Sequence, residues 1–353
     1  MAMTMPQINI VFTKAAQAAA ARNGRGSVGL IIRDAAALGG LMLGSADDVP
    51  GTLSADNQAY VRRAFLGADG LRPVRCCLYV LKSAGSLSEA LAWMALQTVS
   101  WLALPMDAQE ADCTEVKQWL ESQRTENDAV FKAVLPSFAG ESQRIVNFTA
   151  TGIKVGASTY GAAAYCSRIA GILAALPLSR SATYCVLDEV TDVDRMTKSA
   201  MNDAVEAGKL ILHVDGSRVK LGRAVNSLKT TEDEDLRHIR TVEIRDTVES
   251  DLRQLIADEF IGKFVNTYEN KLVLLTAVRD YLFGLEGQGI LETGSMAELD
   301  AAAARAWLTG QGTDVSAMDD KQVLQQPSGT AVFVKLALRI PGAIEDVTVN
   351  IAV

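Results

Sequence analysis

The sequence predicts a multidomain protein that joins an α/β part to an α+β part. Three observations lead there. Short apolar runs alternate regularly with helical stretches between residues 27 and 230, an acidic run at residues 231–235 (TEDED) precedes a helical region, and a period-two strand stands at each end. A chain of 353 residues suits two or three domains at roughly 100–200 residues each. The pattern marks an N-terminal arm (1–26), a small α/β module (27–95), a central α/β domain (96–230), a C-terminal domain of helices and sheet (231–340) and a C-terminal arm (341–353).

In residues 6–12 (PQINIVF), Ile8, Ile10 and Phe12 alternate with Gln7 and Asn9, the period of a strand with one buried face. An Ala-rich polar stretch follows and ends at Asn23, Gly24 and Gly26, so this strand hangs on a tether instead of turning into a hairpin. Ser27–Arg33 (SVGLIIR) and Arg75–Leu81 (RCCLYVL) are short apolar runs typical of buried strands, with a helix over residues 55–65 between them. Helices at residues 86–97 and 113–124 then alternate with strands at residues 100–104, 129–135 and 145–148, which argues for a mostly parallel sheet covered on both faces. Residues 158–175 read as one buried helix opened by a Ser/Thr cap, and residues 199–207 as another helix. Asp215-Gly216 within KLILHVDGSRVKL is a hairpin signal.

Beyond the acidic run, Val248, Leu252, Leu255, Ile256 and Phe260 form an apolar stripe on a long helix over residues 247–265. Residues 272–285 repeat that pattern, and residues 296–308 read as a third, Ala-rich helix ended by Gly310 and Gly312. In the last run Val347, Val349, Ile351 and Val353 alternate with Thr348, Asn350 and Ala352. The pattern alone lets either terminal strand join this chain's own sheets or a neighbour's. A free strand exposes unpaired N–H and C=O groups that another sheet edge satisfies.

Composition and motifs narrow the function. Hydrophobic residues make up 49% and charged residues 22%, as in ordinary globular chains and unlike disordered ones. The net charge of −8 has the wrong sign for coating nucleic acid or anionic lipid. Five cysteines without Cys-x-x-Cys spacing read as reduced core thiols of an intracellular product. No apolar run approaches the ~20 residues of a membrane span, and MAMTMPQINIVF lacks the charged start and apolar core of a signal peptide.

Gly24, Gly26 and Gly29 satisfy the letters of a phosphate-binding loop, but a strand and not a helix follows them. A nucleotide-binding α/β enzyme using residues 24–29 is the alternative that this motif leaves. Two histidines, His213 and His238, supply no zinc site, and Asp188, Glu189, Asp192 and Asp194 miss the calcium-loop spacing. No Gly-x-Ser-x-Gly is present for a serine hydrolase. The expectation is therefore a non-enzyme with no catalytic residue, no metal and no cofactor.

Several passages together resemble one family. PQINIVF, SVGLIIRD, AAYCSRIAGILAALPLSRSATYCVLDEVTDVD, GKLILHVDGSRVKLGRAVNSL and AVFVKLALRIPGAIEDVTVNIAV are similar, in that order, to the contractile tail sheath proteins of Gram-positive myophages and of phage-tail-like bacteriocins. The resemblance implies a central subtilisin-like α/β domain without a protease site and a C-terminal domain near a tail tube. It also implies terminal arms that join a neighbour's C-terminal sheet, with Ile8, Ile10, Phe12, Val347, Val349 and Ile351 as the exchanged positions.

The partners so implied are further copies of the chain in stacked hexameric rings, the tube protein, and baseplate and tail terminator proteins, with no nucleic acid and no membrane insertion. The particle would assemble in the bacterial cytoplasm, leave by lysis, and contract to drive the tube through a target envelope. A closed-ring tail terminator or tube protein is a further structural alternative, although such a protein is expected to be shorter and to lack the three-part layout. For the tube-facing surface we choose the helix at residues 272–285 because it carries charges of both signs, with Lys271, Arg279, Asp280 and Glu286 as contacts. The helix at residues 247–265 is the next candidate.

Overall fold

The computed structural model describes residues 26–351, which divide into two compact units: residues 26–243 with 343–351, and residues 244–342. The strand expected at residues 6–12, with Ile8, Ile10 and Phe12, lies outside the described residues.

In the first unit β1 (Ser27–Arg33), β2 (Gly39–Leu43), α1 (Ala55–Ala64), β3 (Arg75–Leu81), α2 (Leu87–Met94), β4 (Trp101–Ala103), α3 (Glu110–Glu126), β5 (Lys132–Pro136) and β6 (Ile145–Phe148) follow one another. After them come the hairpin of β7 (Ile153–Val155) and β8 (Ser158–Tyr160), then α4 (Ala162–Ala175), α5 (Lys198–Glu206) and β9 (Lys209–Leu210), and the hairpin of β10 (Leu212–Asp215) and β11 (Arg218–Leu221). Seven strands form one mixed sheet in the order β2-β3-β1-β4-β5-β6-β9, parallel except where β2 meets β3. Strands from residues 27–95 and from residues 96–230 thus share a sheet, because β1 pairs with β3 on one side and with β4 on the other.

The strands read as unbroken apolar runs because both faces of the sheet are covered. Val28, Leu30, Cys76, Leu78 and Trp101 enter the core under α1 and α4, while Ile31, Cys77, Tyr79 and Leu102 enter the core under α2 and α3. Cys76 and Cys77, adjacent in sequence, therefore lie on opposite faces of β3. All five cysteines are free and buried. Strand β2 escapes the sequence pattern because it opens with two glycines; a Cβ on Gly40 would fall 2.3 Å from the ring of Trp93.

Two expected helices are corrected. Within residues 158–175, Ser158–Tyr160 is β8, held by pairing with β7, and the helix begins only at Ala162, after an extended Gly161 and without a Ser/Thr side-chain cap. Within residues 296–308, Met296–Leu299 is strand β12, and α8 (Ala301–Gly310) starts behind Asp300, whose Oδ1 accepts the amide of Ala303.

The second unit contains most of α6 (Ile239–Glu259), then α7 (Tyr268–Gly287), β12, α8, α9 (Asp320–Gln325) and β13 (Val334–Ala337). The stripe on α6 buries Val248, Leu252, Leu255 and the following Phe260, as its spacing predicts, and α7 buries Leu274, Leu275, Val278, Tyr281, Leu282 and Leu285. Tyr281 Oη donates to Asp251 Oδ2 at 2.9 Å, which fixes the facing of the two helices. Strand β12 pairs antiparallel with β13 in register Met296 to Ala337 through Leu299 to Val334.

Candidate assembly interface

In a doubly wound sheet a ligand sits outside the carboxyl ends of the strands, where the strand order reverses. Here that point lies between β1 and β4, and side chains fill it. Arg33 Nη2 pairs with Asp112 Oδ1 at 2.9 Å and its Nη1 with Asp107 Oδ1 at 3.0 Å. Tyr60 Oη donates to the carbonyl of Leu104 at 2.6 Å. Beside them the buried Asp34 accepts from Asn57 Nδ2 and from the amides of Ala36 and Ser54. The crevice is cross-linked, not open.

The glycine motif is explained by packing. Gly29 lies inside β1, and a Cβ there would fall 2.8 Å from Val99 Cγ1; one on Gly26 would fall 2.2 Å from Ser100 Oγ. Gly24 lies outside the described residues. His213 packs tilted against Tyr184 with ring centroids 5.1 Å apart, and burial pulls its pKa down. The acidic turn disperses into ion pairs, Glu189 with Arg168 at 2.7 Å and Asp192 with Lys154 at 3.1 Å. Among the described residues no group of acidic, Cys and His side chains is arranged to hold a metal.

The second unit carries a different feature. Val334 and Leu336 of β13 and Leu338 just beyond it stand at alternate positions and, with Val248, Leu252 and Ile256 of α6, line an apolar groove of about 550 Å³. A second depression of about 790 Å³ shares Ile256 and Val334 with it and extends to Phe264 and Val332. Among the described residues no strand pairs with the second edge of β13. Ile261, Val265 and Leu336 are exposed around these hollows.

The C-terminal arm presents the complementary pattern. Residues 341–351 contain no regular element, and Val347, Val349 and Ile351 are 71%, 73% and 82% exposed. Their alternation thus finds no sheet partner among the described residues of this chain.

The charged candidates on α7 separate into two groups. Lys271 is only 8% exposed, its Nζ donates to the carbonyl of Leu324 at 3.3 Å, and burial lowers its pKa, so it is withdrawn as a surface contact. Glu286 Oε1 accepts the amides of Gly294 and Ser295, which ties it to the turn before β12. Arg279 and Asp280 are exposed, although Arg279 Nε also donates to the carbonyl of Ala297. Sequence reasoning missed Phe283, 75% exposed on the same helix, because a lone aromatic in an apolar pattern reads as core.

The chain is 29% identical over 351 residues to the tail sheath protein of Clostridium phage phiCD119, covering 98% of each chain. The chain is similar along its length to a phage tail sheath protein. Its homologues are structural proteins, not enzymes. No protein-family model matches it. The sheath fold extends to solved structures: a sheath tail protein from Listeria innocua superposes with TM-score 0.70 at 12% identity, covering 93% of this chain and 99% of that one. The anti-feeding prophage helical sheath in its contracted state gives TM-score 0.69 at 15% identity, covering 93% of each chain. A contracted sheath of an extracellular contractile injection system, the PVC sheath complex, gives 0.67 at 12% identity, covering 100% of this chain and 97% of that one.

Proposed function

We propose that the protein is the sheath subunit of a contractile phage tail or phage-tail-like particle, and that it polymerises by exchanging terminal strands. One observation carries the reading: the chain holds an apolar groove beside a strand edge that no described strand pairs with, and also an exposed arm with the alternating side chains such a groove receives. A strand from a second copy laid along β13 would pair its main chain with that edge and turn Val347, Val349 and Ile351 inward. The N-terminal strand with Ile8, Ile10 and Phe12 is assigned the same role. Full-length similarity to a phage tail sheath protein and the contracted sheaths among the structural neighbours support this.

In this reading the strand order supports a subtilisin-like central domain whose ligand crevice is cross-linked, with residues 27–95 joined to residues 96–230 through its sheet and residues 231–340 as the C-terminal part between the arms. Subunits stack as hexameric rings around a tube between a baseplate and a tail terminator. Contraction rotates subunits toward a state that buries more surface, and the exchanged strands act as hinges that keep the lattice whole. Free energy stored at assembly replaces a nucleotide. The exposed face of α7, with Arg279, Asp280 and Phe283, is the proposed grip on the tube. The particle assembles in the bacterial cytoplasm and is released by lysis.

Negative-stain microscopy of the purified protein tests the reading. Hollow cylinders are expected from the full chain, and folded, non-polymerising subunits after removal of residues 1–12 or 347–353. Closed rings or monodisperse globules at every concentration would refute it.

A further inference from the structure

The C-terminal arm is not free along its whole length. Thr183 Oγ1 donates to Glu345 Oε1 at 2.6 Å, and Ser181 Oγ lies 3.0 Å from the same oxygen. Arg223 Nε stands 3.3 Å from Glu345 Oε2, and its Nη2 reaches Asp346 Oδ2 at 2.6 Å. The Glu345 side chain is 11% exposed, between Ile344 at 91% and Val347 at 71%. One carboxylate in an otherwise exposed tail is thus held by two hydroxyls and a guanidinium, contacts that its charge strengthens.

The receptor is itself fixed. Thr183 Oγ1 accepts the amide of Ala224 at 2.9 Å, and Ser181 Oγ accepts the amide of Thr183 at 3.1 Å. The next residue, Tyr184, sits at φ 60, a left-handed conformation that a tyrosine adopts only where its surroundings impose it. Its amide donates to the carbonyl of Leu221, so the receptor turn is anchored to the end of β11.

We propose that Ser181, Thr183 and Arg223 form a clamp on Glu345 that fixes where the C-terminal strand departs, and so sets its reach toward a second copy of this chain. The proposal rests on the strand-exchange reading. With Glu345 and Asp346 held, the free arm is residues 347–353, which at about 3.3 Å per residue spans about 23 Å. With the clamp open, the arm is free from residue 343, where the chain has left the second unit. Effective concentration falls as about the 3/2 power of tether length, so lengthening the arm from seven residues to eleven costs about twofold. Loss of direction at the root adds to that. Arg223 and Thr183 are positioning residues for assembly, since in this reading neither touches the neighbour.

A nitroxide attached through Ile344→Cys reports the root of the arm directly. The five native thiols are buried, and burial pushes those of Cys113 and Cys185 up to about 11, so the label goes to the introduced site. The parent should give an immobilised spectrum in the dispersed subunit. Glu345→Ala, and separately Arg223→Gln, should make it severalfold more mobile without moving the thermal midpoint, and should raise the critical concentration for cylinders at least twofold. Unchanged mobility in Glu345→Ala, which alters only the tail, would overturn the clamp. A mobile root with an unchanged critical concentration would overturn its positioning role. Removal of residues 347–353 serves as the separate control: polymerisation that survives it refutes strand exchange, while the nitroxide reports the clamp independently.

Discussion

Val349→Ala separates assembly from folding. Val349 is 73% exposed in the subunit, so truncating it removes almost nothing that the isolated fold had gained. If the arm is buried in a neighbour's groove, the two lost methyl groups are worth about 0.8 kcal/mol each, or about 1.6 kcal/mol per arm. At 1.4 kcal/mol per factor of ten, the critical concentration for cylinders should rise about 10- to 15-fold. The margin is thin enough for this to show. Burying Val347, Val349 and Ile351 gains about 5–8 kcal/mol and three or four new main-chain hydrogen bonds about 3–4 more, against about 7–10 kcal/mol for ordering seven residues.

The assay pairs a circular-dichroism melt of the dispersed subunit with sedimentation and negative stain over a concentration series. The melt should move by less than about 2 °C, as expected for an exposed site. Thr348→Ala and Asn350→Ala, on the opposite face of the strand, should shift the critical concentration far less. A melt lowered by several degrees would mean that Val349 packs within its own subunit. An unchanged critical concentration, or equal effects from Thr348→Ala, would refute alternate-residue burial.

Three other outcomes follow from the same geometry. Burial works against ionisation of Asp34, but hydrogen bonds from Asn57, Ala36 and Ser54 outweigh it and hold the carboxyl at about 2, below its usual 3.8. Its stabilisation is present above pH 3.8 and lost as pH falls through 2. Asp34→Asn should therefore cost on the order of 1–2 kcal/mol in urea unfolding at pH 7 and nearly nothing at pH 2, and a pH-independent difference would overturn this account. Gly29→Ala should lower stability by about 1–3 kcal/mol through overpacking against Val99 and Leu102, with calorimetry against ATP and NAD flat before and after; nucleotide binding abolished by the substitution would restore the enzyme reading. Phe283→Ser with Asp280→Lys should leave melting and self-assembly intact but yield cylinders that are empty or already contracted when tube protein is present. Normal tube-filled, extended particles would place the grip elsewhere, with α6 next in line.

The sequence by itself determined the elements whose neighbours in the chain are enough to define them. Ser27–Arg33 and Arg75–Leu81 are strands to the residue because runs buried on both faces are unbroken in hydrophobicity and end at charged residues. The β10–β11 hairpin follows from Asp215-Gly216, where Gly216 takes φ 63, and the alternation of Val347, Val349 and Ile351 is visible in the letters, although only the structure shows it exposed. The absence of an enzyme's motif pattern was equally readable.

Tertiary structure decided the rest, because pairing across the chain outweighs local propensity. Met296–Leu299 holds residues that favour a helix, yet Val334–Ala337 captures it as a strand; Ser158–Tyr160 is captured in the same way by Ile153–Val155. The sequence reading missed α9, whose capping box of Asp319 with Gln322 opens a helix too short to show a period. Lys271 has a surface residue's chemistry and lies buried, since only the fold brings the Leu324 carbonyl to its ammonium. The groove on β13 and the clamp on Glu345 join segments more than 70 positions apart, at separations where no periodicity in the sequence carries information.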